Sequence, residues 1–275
     1  MGAVRRVGLG RVETTLLWPL HHKVLDFRNR EPVLGDVWAV DVLDHLEVDR
    51  RDVRGTSGDR YLTLLRAAWI DARVRAWVAA HPEGTVVHPG CGLDARALRV
   101  GVPGRGLWVD LDLPEVVALR RGLLPEPRGY RLVAGSVTDP AWWGRVPAGA
   151  PVLVVAEGLF EYLGAAGVRG VLERVASRFT GGGEVVFDVV APWVGRAGRA
   201  AGWPMHGLGD VRLPERWCPG LELVEAYSVV GDFGSVPERP LRVLYRVLSV
   251  WPGGRDAMRV LRFRLRGRAG AGPGG

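Results

Sequence analysis

The sequence of 275 residues is poor in cysteine, with only two, and in lysine, with only one. The cysteines are Cys91 and Cys218, and Cys91 stands between two glycines, where a disulfide would obstruct a turn. So few cysteines exclude a disulfide-rich secreted scaffold. The composition therefore favours a reduced protein in a cytoplasmic setting.

Long hydrophobic runs are missing as well. No apolar stretch reaches the ~18 residues typical of a membrane-spanning helix, so no membrane partner is predicted. The arginines near the start are not followed by a continuous apolar segment, which argues against a secretory signal. Nothing in the spacing of histidines, cysteines and acids predicts a metal site.

Arginine supplies almost all of the positive charge, since the formal net charge is +7 and Lys23 is the only lysine. A basic protein can bind nucleic acid, but here the arginines are scattered and no aromatic residues alternate with them. We therefore predict an arginine-rich composition and no nucleic-acid partner. At residues 259–268, where arginines alternate with apolar residues, they are predicted to form the solvent side of a strand.

Hydrophobic residues make up 47% of the chain, enough for one large domain or a domain with a cap. Residues 12–80 show helical spacing of apolar residues, which predicts helices at 13–25, 37–46 and 61–78. His81 and Pro82 end the last of them.

From residue 85 onward, predicted strands and helices alternate. The strands are expected at 85–89, 106–111, 130–134, 151–156 and 184–190, and the helices at 94–99, 114–123, 140–145 and 165–179. Such alternation is typical of an α/β fold with a parallel sheet. Two later strands, 221–229 and 259–265, are expected to pair antiparallel across a long connection without a regular helix.

A glycine turn follows the first predicted strand. Gly90 and Gly92 allow a tight turn and a close approach of the backbone to a ligand. Asp110 and Asp112 lie 20 and 22 residues beyond Gly90, where an acid is placed to accept hydrogen bonds from ribose hydroxyls. Because GCGLDA at residues 90–95 also fits the dinucleotide pattern, NAD is a competing cofactor at this point.

A second strand also delivers an acid at its carboxyl end. The apolar run 152–156 leads directly into Glu157 and Gly158. Ligands of open α/β sheets bind outside the carboxyl ends of the strands, so this acid is expected to meet the glycine turn. The convergence indicates a site for a nucleoside-containing cofactor.

Five motifs in order carry a family resemblance. They are Arg66 in a helix, HPGCGLDAR at 88–96, DLDLPEVVALRR at 110–121, GSVTDPAW at 135–142 and AEGLFEYL at 156–163. Together they resemble the leucine carboxyl methyltransferase family, and most of all its bacterial branch of polyketide O-methyltransferases of the tetracenomycin type. The resemblance covers roughly residues 12–265.

The resemblance implies S-adenosylmethionine (SAM) as cofactor and a class I SAM-dependent methyltransferase fold, Rossmann-like, with a mostly parallel seven-stranded sheet. It implies an N-terminal helical cap at residues 1–80 and a SAM-binding domain at 81–266. Within that domain, residues 191–220 are expected to cover the substrate, and 267–275 are expected to be a disordered tail.

The resemblance also implies roles for individual residues. Gly90, with Gly92, would face the methionine part of SAM, and Asp112 the ribose, with Asp110 as the alternative. Glu157 would take the amino group of the methionine moiety, and Arg66 its carboxylate. Further cofactor contacts are expected from Ser136 and Val137, which would border the adenine, and from Lys23.

The acceptor chemistry depends on whether a base is present. A carboxylate acceptor is ionised at neutral pH, whereas a phenol with a pKa near ~10 needs a base or a nearby cation. No His-Asp pair stands at a strand end, which favours a carboxylate. Arg96 is predicted either to orient the acceptor or to be an exposed helix residue, and Tyr162 either to line the acceptor pocket or to pack against the sheet.

The sequence thus predicts a SAM-dependent O-methyltransferase acting on a carboxylate or hydroxyl of a polyketide-like small molecule. Three alternatives stay open at this point: methylation of a protein carboxyl terminus, an NAD-dependent oxidoreductase, and a non-catalytic SAM-binding protein. The sequence does not indicate an oligomeric state.

Overall fold

A seven-stranded sheet forms the centre of the protein in a computed structural model, which describes residues 5–6, 11–47 and 60–267. Its strands, in chain order, are β1 Thr85–Pro89, β2 Leu107–Asp112, β3 Tyr130–Ala134, β4 Val152–Ala156, β5 Gly183–Val190, β6 Leu221–Ser228 and β7 Met258–Leu265. They lie in the order β3-β2-β1-β4-β5-β7-β6. A separate two-residue parallel ladder joins Arg5–Arg6 to Leu46–Glu47.

Strands β1 to β5 are parallel, whereas β7 runs antiparallel to both of its neighbours, β5 and β6. Every residue of β1 and of β4 is buried, as expected for central strands covered on both faces. The predicted mostly parallel seven-stranded sheet and the late antiparallel pair are confirmed.

Ten helices are described around this sheet. They are α1 Arg11–Phe27, α2 Val37–Asp44, α3 Arg60–Ala80, α4 Arg96–Val100, α5 Pro114–Arg120, α6 Ala165–Arg178, α7 Pro192–Ala200, α8 Leu213–Trp217, α9 Arg239–Val250 and α10 Pro252–Arg255. None of these helices is long and apolar enough to cross a membrane.

The first three helices pack in two different places. Helices α1 and α2 share an apolar cluster with Leu93 and Ala95 beside the glycine turn. Helix α3 instead packs on the sheet, where Leu64 and Ile70 join the cluster that contains Trp108 of β2. The boundary predicted at residue 80 stays a prediction. The expected tail at 267–275 lies, from residue 268, outside the described residues.

The connection between β6 and β7 was expected to lack a regular helix, and this prediction is wrong. It contains the 12-residue helix α9 and the short helix α10. Leu241, Tyr245 and Leu248 of α9 pack on the apolar cluster behind the sheet. The apolar face of this amphipathic helix extends beyond the packed residues to Val243 and Val247, which are exposed.

Other predicted boundaries shift by a few residues. The helix expected at 140–145 is a single 3₁₀ turn, Trp143–Arg145. Helix α5 ends at Arg120, because Gly122 adopts a φ of 80° that does not continue a helix.

Candidate functional site

The sheet order brings the candidate residues together at one edge. Strands β3, β2, β1 and β4 are neighbours, so their carboxyl ends lie side by side. These ends lead into Ser136, Asp112, Gly90 and Glu157, in that spatial order. The chain leaves β1 toward β2 on one side, while β4 lies on the other, which is the topological switch point where open α/β sheets bind ligands.

The turn after β1 depends on glycine. Gly90 and Gly92 have φ angles of 67° and 50°, in the left-handed region. The backbone N–H groups of Gly90 and Cys91 both donate to the carbonyl of Leu111, at 2.8 and 3.2 Å. A Cβ at Gly90 would lie only 3.1 Å from the side chain of Leu159. Gly90, Cys91 and Gly92 all line the cavity described below.

Asp112 supports this turn from the end of β2. Its Oδ2 accepts the N–H of Gly92 at 2.7 Å, and its Oδ1 accepts the N–H of Leu113 at 2.8 Å. Burial raises the pKa of Asp112, against the lowering effect of these two hydrogen bonds. Asp112 is partly exposed at the rim of the turn and is not part of the cavity lining described below.

Asp110, predicted as the alternative ribose ligand, has a buried carboxylate with protein partners on both oxygens. Oδ1 lies 3.1 Å from His88 Nδ1 and accepts the Trp108 Nε1–H at 2.6 Å. Oδ2 accepts from Arg120 Nη2 at 2.6 Å and from the Tyr130 hydroxyl at 2.8 Å. Burial opposes ionisation, but the Arg120 guanidinium outweighs it and lowers the pKa of Asp110. Asp110 thus holds the interior together.

Glu157 lies between two buried arginines. Its Oε1 accepts from Arg66 Nε at 3.1 Å, and its Oε2 accepts from Arg96 Nη2. Burial alone would raise the pKa of Glu157, but the charges of Arg96 and Arg66 lower it to about 2. Glu157 is therefore an anion at neutral pH.

Asp188 is a site residue that the sequence interpretation missed. Its Oδ2 accepts from Arg66 Nη1 at 2.7 Å, and its Oδ1 accepts the N–H of Gly158 at 2.7 Å. It is only 1% exposed. An acid near the carboxyl end of the apolar strand Gly183–Val190 was the available signal, since a buried carboxylate needs partners.

Arg96 is fully buried, so its interpretation as an exposed helix residue is wrong. Nε donates to Asp71 at 2.8 Å, Nη1 lies 3.2 Å from His88 Nε2, and Nη2 donates to Glu157. Arg96 is not among the residues that line the cavity described below. Its Nη2 holds the carboxylate of Glu157 in place.

Lys23 joins a second group of charges that the sequence interpretation did not detect. Its Nζ donates to Asp94 Oδ1 at 2.7 Å, and Arg99 Nη1 donates to the same atom at 3.0 Å. Arg99 also binds Asp36 and Asp71, each at 2.5 Å. Despite burial, Arg99 and Lys23 hold the pKa of Asp94 well below its usual range. The group ties α1 and α3 to the turn after β1.

A cavity of about 300 Å³ opens over these strand ends. Its polar lining includes Lys23, Arg66, Glu157 and Glu161. Its apolar lining includes Trp18, Val194, Trp203 and Met205, and Tyr162 also lines the cavity. A mostly apolar cavity with a few convergent polar groups is typical of small-molecule sites.

The segment expected to cover the substrate contributes Trp203 to this cavity. Trp203 packs edge-on against Trp18 of α1, with ring centroids 4.9 Å apart. Trp193 is 40% exposed and contacts Trp251, while Trp217 packs on the main apolar core, so neither lines the cavity. Of the three tryptophans in residues 191–220, Trp203 is therefore the one that lines the cavity.

Ser136 and Val137 lie beyond Asp112, outside the cavity lining. The carbonyl of Ser136 accepts the Trp142 Nε1–H at 2.9 Å, and Val137 is 6% exposed within the core. Trp142 stacks on Trp143 at 4.0 Å between ring centroids. These residues border the far end of the row of strand ends.

Sequence comparisons agree with this geometry. The profile of the leucine carboxyl methyltransferase family matches residues 31–176. The chain is 36% identical over 271 residues to the tetracenomycin polyketide synthesis O-methyltransferase TcmP of Streptomyces glaucescens, covering 94% of this chain and 96% of that protein. It is 34% identical to the S-adenosyl-L-methionine-dependent methyltransferase dpfgK of Gibberella zeae, covering 83% and 86%.

Solved structures share the fold at low identity. A Thermobifida fusca protein assigned as a methyltransferase superposes with a TM-score of 0.55 at 14% identity, covering 90% of this chain and 94% of that one. A SAM-dependent methyltransferase from Mesorhizobium loti gives 0.52 at 15% identity, covering 70% and 96%. Both support the class I methyltransferase fold.

The NAD hypothesis fails against these findings. It depended on the glycine pattern, and the helix that follows, α4, has only five residues. Both sequence relatives are methyltransferases, and one is named for its dependence on SAM. This chain belongs to the leucine carboxyl methyltransferase family and is an S-adenosylmethionine-dependent methyltransferase.

Proposed function

We propose that SAM lies across the carboxyl ends of β3, β2, β1 and β4, with its methionine end over Glu157 and Arg66. This placement is supported above all by the two opposite charges of Glu157 and Arg66, which line the cavity beside the glycine turn. Glu157, anionic at neutral pH, suits an ammonium group, and the guanidinium of Arg66 suits a carboxylate. The hydrogen bonds of Arg66 to described residues use Nε and Nη1, which leaves Nη2 for the ligand.

The remaining cofactor contacts follow the row of strand ends. Gly90 and Gly92 let the backbone approach the ligand closely, and Asp112, beside them, accepts the ribose hydroxyls. Ser136 and Val137 border the adenine beyond Asp112. Lys23 lines the cavity and is paired with Asp94, and it bounds the cofactor on the side of α1.

The acceptor lies against the apolar and aromatic residues of the cavity lining. Tyr162, Trp203 and Met205 form flat or adaptable walls there, which suit a polycyclic aromatic small molecule. Helix α1, within the cap predicted at residues 1–80, and residues 191–220 act as its cover, supported by the contact of Trp18 with Trp203. The acceptor is polyketide-like, as the name of the Streptomyces relative indicates for that protein.

The chemistry requires alignment above all. SAM supplies an electrophilic methyl group on a sulfonium, and the cavity residues hold the acceptor oxygen in line with it. The enclosed walls exclude water from the reacting oxygen. The free, buried thiols of Cys91 and Cys218 support a reducing, cytoplasmic compartment for this activity.

Calorimetric titration with SAM, S-adenosylhomocysteine (SAH) and NAD tests the site. We expect SAM and SAH to bind and NAD not to bind. Glu157→Gln is expected to weaken SAM binding about tenfold or more, because it removes a charge-assisted hydrogen bond.

The matched control is Glu173→Gln, which removes an exposed acid of α6 paired only with Arg169. It should bind SAM like the wild type. Unchanged SAM affinity in Glu157→Gln would remove Glu157 from the site, and failure of the wild type to bind SAM would overturn the proposal.

A further inference from the structure

Two buried polar atoms of the cavity lining have no hydrogen-bond partner among the described residues, Glu161 Oε2 and Trp18 Nε1. Glu161 lies in the 3₁₀ helix Phe160–Tyr162, and it is only 8% exposed. Such atoms are costly to bury, because they lose their hydrogen bonds to water without replacement. An indole N–H can only donate, so the ligand that satisfies it carries a hydrogen-bond acceptor.

The backbone of Glu161 is held in place without help from its carboxyl group. The N–H of His206 donates to the carbonyl of Glu161 at 2.6 Å. The imidazole of His206 packs over Gly164, and both residues line a smaller cavity together with Glu161. Among the described residues, Glu161 forms no ion pair, so its carboxyl group remains available to a ligand.

The charged groups that face Glu161 favour its neutral form. Burial first, and then the negative charges of Asp188 and Glu157, raise the pKa of Glu161 to about 7. Arg66 of α3 opposes this shift, but its guanidinium already binds both of those acids. The pKa of Tyr162 is itself raised, by burial and by the charge of Glu161, so this phenol is neutral and supplies no charge of either sign.

The described part of the cavity lining offers no unpaired lysine or arginine to an acidic acceptor. Lys23 pairs with Asp94, and Arg66 pairs with Glu157 and Asp188. The remaining Nη2 of Arg66 binds the carboxylate of SAM in the proposed function. An acceptor carboxylate, which the sequence favours, therefore needs a donor that is not one of these cations.

The two histidines of the lining are engaged with the protein as well. His22 Nδ1 lies 3.1 Å from the hydroxyl of Thr63. His88 lies between two charged partners, with Nδ1 3.1 Å from Asp110 and Nε2 3.2 Å from Arg96. Neutral Glu161 is thus a donor in the lining that has no protein partner to give up.

We propose that protonated Glu161 donates a hydrogen bond to one oxygen of an acceptor carboxylate and thereby positions the other oxygen for methylation. This inference rests on the proposed function. The free oxygen forms a bond to the methyl carbon of SAM, the methyl–sulfur bond breaks, and its electrons return to sulfur. The products are neutral SAH and a methyl ester, and the proton stays on Glu161 throughout.

A neutral Glu161 avoids the repulsion that two buried carboxylates would cause. When two such groups meet, they hold one proton between them, and the charge of the acceptor raises the pKa of Glu161 further. Acceptor binding at a pH above about 7 is therefore accompanied by uptake of a proton.

Calorimetric titration of the SAH complex with 2-naphthoic acid, an aromatic acid without a hydroxyl group, tests the proton-bearing contact. The heat of binding, compared between buffers of different ionisation enthalpy, gives the number of protons taken up. At pH 8 the wild type should take up roughly half a proton to one proton per probe, because unbound Glu161 is mostly ionised. At pH 6 the uptake should be much smaller.

Two outcomes of this titration overturn the inference. One is binding of 2-naphthoic acid at pH 8 without proton uptake, and the other is no binding of this probe while SAM binds. Failure of the wild type to bind SAM would instead overturn the proposed function.

The variant Glu161→Gln keeps a donor of the same shape but cannot ionise. Its affinity for 2-naphthoic acid should change less than about twofold between pH 6 and 9, whereas the wild-type affinity should fall about tenfold or more as the protonated fraction of Glu161 falls. Glu161→Leu, which has no donor, should bind the probe about tenfold more weakly than the wild type at pH 6. The Kd of SAM should change less than about twofold in both variants, and a wild-type pH dependence in Glu161→Gln would contradict the inference.

Turnover of 2-naphthoic acid to its methyl ester separates this role from a purely structural one. In the wild type the KM for the acid should rise with pH above about 7, while kcat stays nearly constant because the bound acceptor keeps Glu161 protonated. Glu161→Gln should retain a low KM at pH 9. The matched control is again Glu173→Gln, which should follow the wild type. A KM that does not change with pH in the wild type, or a kcat that rises through pH 7, would overturn the inference.

Discussion

The carboxylate of Asp188 joins Arg66 to the backbone of Gly158: Oδ2 lies 2.7 Å from Arg66 Nη1, and Oδ1 accepts the Gly158 N–H at 2.7 Å. One acid of β5 thus positions the two elements that flank Glu157, namely the guanidinium from α3 and the turn after β4. The positioning of Arg66 in the cavity therefore depends on a residue that does not line it.

Asp188→Asn should weaken the link between Arg66 and the turn after β4. The amide still accepts from Gly158 but removes the negative charge opposite Arg66, so the free energy of unfolding should fall by about 3 kcal/mol. SAM affinity should weaken about tenfold, since Arg66 loses its fixed position. Urea unfolding and calorimetry measure the two effects. Glu225→Gln, at the more exposed pair with Arg73, should cost less than about 1 kcal/mol, and an equal cost for both variants would contradict the prediction.

Gly90→Ala should damage the turn after β1. Its φ of 67° costs an alanine about 1–2 kcal/mol, and the new Cβ would press on Leu159 at 3.1 Å. We expect a lower melting temperature and at least tenfold weaker SAM binding, measured by calorimetry and thermal unfolding. Gly104→Ala is the matched control, because a Cβ there meets nothing within 4 Å. Wild-type SAM affinity in Gly90→Ala would show that the ligand does not approach this turn.

Glu161→Gln should stabilise the protein at high pH. Because the folded pKa of about 7 lies above the ordinary value of 4.5, wild-type stability is full below pH 4.5 and declines as pH rises through 7. The neutral variant avoids this loss, so its free energy of unfolding should exceed that of the wild type by about 2–3 kcal/mol at pH 8. The two proteins should converge near pH 4. Urea unfolding at both pH values checks this prediction. An equal free energy of unfolding for the two proteins at pH 8 would mean that ionisation of Glu161 does not destabilise the fold.

Trp203→Ala should remove an aromatic wall of the cavity. It removes the edge-on contact with Trp18, worth about 1 kcal/mol beyond the buried area. The affinity of the SAH complex for 2-naphthoic acid, a flat aromatic acid used as an acceptor probe, should fall roughly fivefold to tenfold, while the Kd of SAM should change less than twofold. Trp193→Ala, at an exposed ring outside the lining, should leave both constants unchanged. A weaker SAM affinity in Trp203→Ala would place this ring over the cofactor instead.

Local patterns were sufficient to predict much of the fold. The alternation of strands and helices from residue 85 led to the parallel sheet, because buried strands and crossover helices have distinct spacing of apolar residues. Helix α9 was missed although its apolar residues recur at helical spacing, and Val243, Leu244 and Val247 extend its apolar face beyond the buried stripe. The sequence does not tell which part of such a broad apolar face is covered.

The candidate site, like the fold, could be predicted only in part. Gly90, Glu157 and Arg66 were identifiable from motifs, because turn geometry and strand-end position are local properties. Asp110 was predicted as an alternative ribose ligand, and Arg96 as either an acceptor contact or an exposed helix residue. The structure gives both of them buried partners from other segments, such as Arg120 and Asp71. Which charged group faces a cavity depends on contacts between residues far apart in the chain.

By itself, the sequence determined the α/β class, the glycine turn at Gly90, the strand-end acids and the family. Each of these depends on the spacing of residues that are near in the chain. Only the tertiary structure decided that Asp188 holds Arg66, that Asp110 is enclosed by four donors, and that Glu161 lines the cavity with an unpaired oxygen. The reason is physical: the burial and the partners of a charged side chain are set by elements that meet only when the sheet has formed.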